Sequence, residues 1–167
     1  LSSDGNPFGI SYNKLWVMDK ENNYKILKVG EIPLQTGGIS EKIIHQNPND
    51  KEDYKELSAL TISAPVGDKG SAVMIDKDKI LFIGGQQKEA GYAASNKAII
   101  IDISDSFKPK IINKESMSYP RAFADATILP TGDVFVNGGT AVYQSADDDT
   151  YFSNFTPEIY QIKDDIW

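Results

Sequence analysis

Residues 117–139 read MSYPRAFADATILPTGDVFVNGG. From Ala122 to Thr127 alanines at every second position alternate with Phe123, Asp125 and Thr127, and Ile128-Leu129 follow; then comes Pro-Thr-Gly-Asp at 130–133, then Val134-Phe135-Val136, closed by Asn137 and a glycine pair. Alternation is the period of a half-buried strand, and a Pro/Gly/Asp cluster between two such runs is turn chemistry. The stretch therefore predicts a β-hairpin entered through Pro120-Arg121. Two further segments share its grammar: KLWVMDKENNYKILKVG at 14–30, and SAVMIDKDKILFIGG at 71–85 with Asp-Lys-Asp at 76–78 as its turn.

The closing glycines, Gly30, Gly85 and Gly139, stand about 55 and 54 residues apart. A repeat near 50 residues built of short strands is the signature of kelch-type propeller blades. After each glycine pair a loop leads to a third strand, KAIIIDIS at 97–104 and FTPEIYQI at 155–162. A fourth, outer strand is predicted in PKIINKES at 109–116, and another beginning at Trp167. The expected fold class is all-β, with kelch-type blades as four-stranded antiparallel sheets in a single partial propeller. The blades are placed at 1–66, 67–120 and 121–167. Propellers close with four to eight blades, so about three blades leave apolar faces to be covered by further blades or by self-association. Pro33 to Lys69, with HQNPNDKEDYKELSA at 45–59, is poor in β-formers and reads as a long loop or short helical turn inserted between strands.

Composition narrows the function classes. Seventeen Lys and Arg against 24 Asp and Glu give a net charge of −7, which argues against nucleic-acid partners, since those contacts need cations on phosphates. No apolar run approaches the roughly 20 residues that span a bilayer. The N-terminus LSSDGNPFGISYNKLW has neither the basic nor the apolar region of a signal peptide, and lacks an initiator Met, as expected of an excised or processed piece. There is no Cys and one His, His45, so neither a thiolate site nor a histidine cluster can be assembled from these residues. Asp147, Asp148 and Asp149 lack the alternating ligand spacing of a calcium loop and read as solvated. Asn154-Phe155-Thr156 is a glycosylation sequon, relevant in a eukaryotic secretory pathway.

From Gly70 to Trp167 the chain resembles the galactose oxidase and glyoxal oxidase family of copper-radical oxidases. MSYPRAFADATILPTGDVFVNGG, FTPEIY and KGSAVMIDKDKILFIGGQQKEAGY carry the resemblance, and YNKLWVMDKENNYKILKVGEIP resembles a preceding blade more loosely. The resemblance implies a kelch propeller from a secreted or cell-surface parent. It implies oxidation of a primary alcohol, aldehyde or carbohydrate by dioxygen, with release of hydrogen peroxide, at one copper held by two tyrosines and two histidines. By order and spacing, Tyr92 in EAGYAAS matches the family's radical tyrosine, and is the one catalytic and copper-ligating residue carried over. The Cys partner and the remaining ligands of the family pattern have no counterpart here, so copper belongs to a full-length parent and not to this chain alone. The alternative implied by the fold is a non-catalytic kelch module that binds a protein or glycan. Arg121 is expected to tie adjacent blades through an ion pair or backbone contacts, Asp125 to accept a hydrogen bond in the same region, and Tyr160 and Trp167, on strands three and four, to pack between blades.

Overall fold

The computed structural model describes residues 1–11, 13–32, 37–39, 60–62, 69–85, 94–143 and 151–167. Three antiparallel sheets succeed one another along the chain. The first is β1 (Phe8–Ser11), β2 (Lys14–Asp19) and β3 (Lys25–Glu31), in that order. A two-stranded ribbon, β4 (Gly37–Ile39) and β5 (Leu60–Ile62), follows where the sequence suggests only a loop or helical turn. The second sheet runs β6 (Ser71–Asp76), β7 (Lys79–Ile83), β8 (Ala98–Asp102) and β9 (Lys110–Asn113). In the third, β10 (Ala122–Ile128) pairs with β11 (Val134–Tyr143), which pairs in turn with β12 (Tyr151–Ser153) near one end and β13 (Glu158–Tyr160) near the other. The fold is all-β and propeller-like.

The apolar pattern dictates this stacking. KILFI in β7 and AIIID in β8 are continuous apolar runs, the mark of strands buried on both faces. Leu81, Ile83, Ala98 and Ile100 pack against Met117, Val134, Val136 and Tyr160 of the third sheet and its approach. Phe82, Ile99, Ile101 and Ile103 turn the other way, against Leu15 and Ile32 of the first sheet and its exit. Each such side chain contributes about 1.5–3 kcal/mol relative to exposure. The flanking sheets bury one face only, hence the alternation Ala122, Ala124, Ala126 inward and Phe123, Asp125, Thr127 outward in β10.

The first hairpin is not equivalent to the other two. Asn13 Nδ2 donates to the Ile32 carbonyl and the Ile32 N–H to the Asn13 carbonyl; Asn96 and Met117 repeat both bonds. Asp19 faces Lys25 as Asp102 faces Lys110. So β2–β3 matches the outer pair β8–β9, whereas 71–85 and 125–139 form inner pairs. Gly30 is correspondingly absent from the left-handed glycines, while Gly84, Gly85, Gly138 and Gly139 all have positive φ. Gly84-Gly85 follows the end of β7, but Gly138-Gly139 lies inside β11, where the strand continues beyond the blade into its pairing with β12. Both predicted inner turns form, with Asp78 at φ 62 and Gly132 at φ 92.

Tyr160 and Trp167 pack with ring centroids 5.1 Å apart. Trp167 belongs to no strand here, because the chain turns back through a bridge between Gln161 and Ile166. Its indole N–H donates to the Glu115 carbonyl at 2.7 Å, and Lys114 pairs with Asp165 at 2.8 Å, so the residues after β9 are tied to the third sheet. The Tyr160 hydroxyl donates to Asp165. Burial, with the Asp165 hydrogen bond and nearby charge, pushes the Tyr160 phenol far above its ordinary range.

At the end of the sheets where the inner hairpins turn, the N-terminal segment crosses between the first sheet and the second. The Ser3 N–H donates to Asp78 at 2.6 Å, Asn6 Nδ2 to Ser106 at 3.1 Å, and the Lys20 N–H to Asn6 Oδ1 at 3.1 Å. Burial opposes ionisation of Asp4, but hydrogen bonds from Ser2, from the Ser106 hydroxyl and from the Asn6 and Ser106 N–H groups outweigh it. The carboxyl is held well below its usual range. Because the folded pKa is depressed, this stabilisation is complete above the unfolded value of about 3.9 and is lost as pH falls toward the folded one. Asp4→Asn is expected to lower the denaturation midpoint at pH 7, with the difference from the parent shrinking below about pH 4. A gap independent of pH would refute this role for the charge.

Candidate functional site

The connections leaving and entering the strands at Ile32, Lys69, Gly85, Ala94, Met117 and Tyr143 share one end of the stack. Short backbone bonds within the second sheet and from it to the third order this end. Gly84 N–H donates to the Lys97 carbonyl at 2.9 Å, Gly85 N–H to the Arg121 carbonyl at 2.7 Å, Arg121 N–H to the Ser95 carbonyl at 3.0 Å, and Ala94 N–H to the Ala141 carbonyl at 2.7 Å. A Cβ on Gly84 would collide with the Arg121 carbonyl oxygen, so the close approach of these chains requires glycine there.

Arg121 is the centre of the arrangement. Its side chain is fully buried, with Nε and Nη2 3.2 and 2.7 Å from Glu158 Oε2, Nη1 2.8 Å from the Gly138 carbonyl, and Nη2 also donating to the Thr156 carbonyl. The second carboxylate oxygen of Glu158 accepts from the Ser118 N–H at 2.6 Å. The fork of guanidinium donors suits one charged and two carbonyl acceptors at fixed angles. Arg121 thus binds the second sheet to the third through its backbone and clamps both flanks of the 138–156 connection through its side chain. The expected tie between blades is present; its acid, Glu158, is signalled in the sequence only by a charge inside the strand-forming run PEIYQI. Asp125 lies exposed on β10 opposite Asn137, and not in the contact between sheets.

Phe123, one residue into β10, stands out. It is an aromatic residue at φ 59, in the left-handed region that bulky side chains avoid. Its N–H donates to the Lys69 carbonyl at 2.8 Å, the Lys69 ammonium lies 5.3 Å from its ring centroid, and the ring is half exposed. Lys69 precedes β6, so the two meet where the edge strands β6 and β10 run side by side, joined by the Ser71 hydroxyl donating to the Ala124 carbonyl. Sequence alternation marks Phe123 as outward-facing but carries no sign of its backbone conformation.

Tyr92, the candidate catalytic and copper-ligating residue, lies outside the described residues, as do His45 and Asp147–Asp149; the described flanks of its connection are Gly85 and Ala94. Copper needs several nitrogen, oxygen or sulfur donors converging on one point. Among the described residues no group of three or more His, Cys, Asp or Glu converges in that way. The buried Tyr160 phenol donates to Asp165, and burial disfavours its ionisation. The described residues do not fit a copper centre. No helix among them is long and apolar enough to cross a membrane.

No protein-family model matches the chain, and no curated protein matches it. Among solved structures it is similar to a fungal alcohol oxidase of the AA5 family in complex with copper, with a TM-score of 0.53 and 20% identity. The alignment covers 98% of this chain and 40% of that one, so the chain spans two fifths of that protein's length. At this level of identity the likeness establishes the fold: the three stacked antiparallel sheets are part of a propeller-like all-β architecture of the kind that carries the fungal oxidase.

Proposed function

We propose that the chain is a rigid segment of a larger kelch propeller and acts as a non-catalytic binding module, taking a protein or glycan partner at the end where its connections arise. The observation that carries this reading is the Arg121 clamp. A fully buried guanidinium anchored on Glu158, Gly138 and Thr156 holds the bases of these connections in one geometry, and binding residues characteristically sit on loops positioned by such a scaffold. In this reading the outer faces of the first and third sheets, with Met18 and Ile26 on one and Ile159 on the other, are covered by the remaining blades of the parent or by a second copy, and the parent is secreted or displayed on a cell surface. The test is a peroxide assay on the full-length protein reconstituted with copper and offered primary alcohols, aldehydes and sugars. No peroxide above the metal blank is expected.

A second reading has one observation in its favour, the copper-bound alcohol oxidase among the similar structures. In it the parent is a copper-radical oxidase of alcohols or aldehydes, with Tyr92 as one ligand and the other donors supplied from outside the described residues. Sustained peroxide production that is lost in Tyr92→Phe would establish this reading and overturn the first.

A further inference from the structure

We infer that the open edge of β1, with the flank of β6 beside it, is a strand-binding slot, and that its occupant is the stretch of the parent chain leading into Leu1, docked as a fourth antiparallel strand. The inference rests on the reading of the chain as a segment of a larger propeller and names what completes its first sheet. Residues 2–6 carry the same turn as residues 129–133. Gly5 N–H donates to the Ser2 carbonyl at 2.9 Å, as Gly132 N–H does to the Leu129 carbonyl at 2.9 Å. Ser2 N–H donates to the Asn6 carbonyl at 3.1 Å, as Leu129 N–H does to the Asp133 carbonyl at 2.8 Å. Gly5 and Gly132 are both left-handed, at φ 83 and φ 92. At 129–133 this turn joins β10 to β11. At 2–6 it leads into β1, so the strand that answers to β10 is the one entering from the side of Leu1.

The backbone of β1 is open on the matching side. Met18 N–H donates to the Pro7 carbonyl at 2.9 Å, and Phe8 to Ser11 continue in register against Val17 to Lys14. Hydrogen-bonded pairs alternate along an antiparallel ladder, so Gly9 and Ser11 bond β2 while the N–H and carbonyl groups of Phe8 and Ile10 point to the other edge. Among the described residues β1 pairs with β2 alone. Matching the two turns puts Phe8 at the place of Phe135 and Ile10 at that of Asn137, within the part of β11 that pairs with β10. A row of unpaired donors and acceptors beside a hairpin turn is a template for a further strand. The flank of β6 forms the second wall. Val73 and Ile75 pack toward the third sheet, whereas Ala72 and Met74 are exposed on the opposite face. Leu1, Ser3, Met74 and Ile75 are among the residues lining a cavity of about 450 Å³ there. On its other flank β6 already runs beside an inner strand, β10.

The test is cysteine cross-linking in the full-length protein. Continuing the register of the turn, the residue one position before Leu1 falls opposite Phe8, and the residue two positions before Leu1 falls opposite Gly9. Residues opposite each other in a pair without backbone bonds bring their Cβ atoms close enough for a disulfide. Gly9 is exposed, a Cβ added to it meets nothing within 4 Å, and residues 1–167 hold no cysteine to compete. Gly9→Cys with a cysteine two positions before Leu1 is expected to oxidise within one molecule. Moving the second cysteine to three positions before Leu1 puts it on the other face of the strand and should cut the disulfide yield by about tenfold or more. In the unsubstituted protein the Phe8 and Ile10 amides should exchange about 100-fold or more slowly than in an unstructured chain. Equal yields from the two cysteine pairs, a disulfide that forms only between two molecules, or unprotected Phe8 and Ile10 amides overturns the inference. Met18, exposed on the outer face of the first sheet, keeps the two readings apart through its oxidation to the sulfoxide. If Met18 is shielded in the full-length protein but the cross-link fails, the larger propeller stands and this inference falls; if Met18 oxidises freely while the cross-link forms, the reverse holds.

Discussion

Arg121→Met is expected to be the most damaging single substitution at a polar position, with a loss of about 3–5 kcal/mol. The side chain it removes is fully buried, and so nearly is that of Glu158. Methionine fills most of the volume, so the loss is electrostatic: the Glu158 carboxylate stays in a low-dielectric site with one remaining donor, the Ser118 N–H, and the Gly138 and Thr156 carbonyls lose theirs. Breaking one side of a buried pair is worse than never having had it. Arg121→Met with Glu158→Gln should therefore recover part of the loss, because the uncompensated charge is gone while the Ser118 bond can remain. Denaturant midpoints of the parent, the single and the double variant decide the matter. A double variant no better than Arg121→Met would show that the two carbonyls, and not the ion pair, dominate the site.

The fold was legible where one physical signal governed it. Runs such as KILFI and AIIID, short, rich in β-branched residues and bounded by turn or glycine signals, read as strands buried on both faces, and a middle sheet between two neighbours follows from that reading. The turns at Asp78 and Gly132 were legible because few residues accept positive φ. The first hairpin was misread because 14–30 shares with 71–85 only a generic pattern, strand, charged turn, strand, glycine. The residues that reveal its true counterpart, Asn13 with Ile32 and Asn96 with Met117, lie outside the strands and signal through side-chain-to-backbone bonds that no periodicity encodes. The role of Arg121 could be read from its place after Pro120, but its partner Glu158 lies 37 residues away and only the packed sheets bring them together. Phe123 was silent for a different reason: a left-handed aromatic is a decision of tertiary structure against local preference.

Gly84→Ala and Gly138→Ala separate backbone strain from crowding, and the first is expected to cost about 3–4 kcal/mol against about 1 for the second. Both glycines have left-handed backbone, with φ 61 and φ 64, so each pays the same conformational term when a Cβ is added. They differ in what the new methyl meets. At Gly138 there is nothing within 4 Å; at Gly84 it runs into the Arg121 carbonyl oxygen, which is backbone and cannot swing aside as a side chain could. Relief requires Arg121 to move, and that strains the Gly85-to-Arg121 bond of 2.7 Å and the Arg121-to-Ser95 bond of 3.0 Å. Those bonds hold the third sheet to the second at the end where the connections arise. Gly84→Ala should therefore also speed amide exchange at Gly85 and Arg121, while Gly138→Ala leaves those protons protected. Equal costs for the two variants, or unchanged exchange in Gly84→Ala, would mean that the sheets can separate here without loss, and the rigid frame assigned to Arg121 would fall with them.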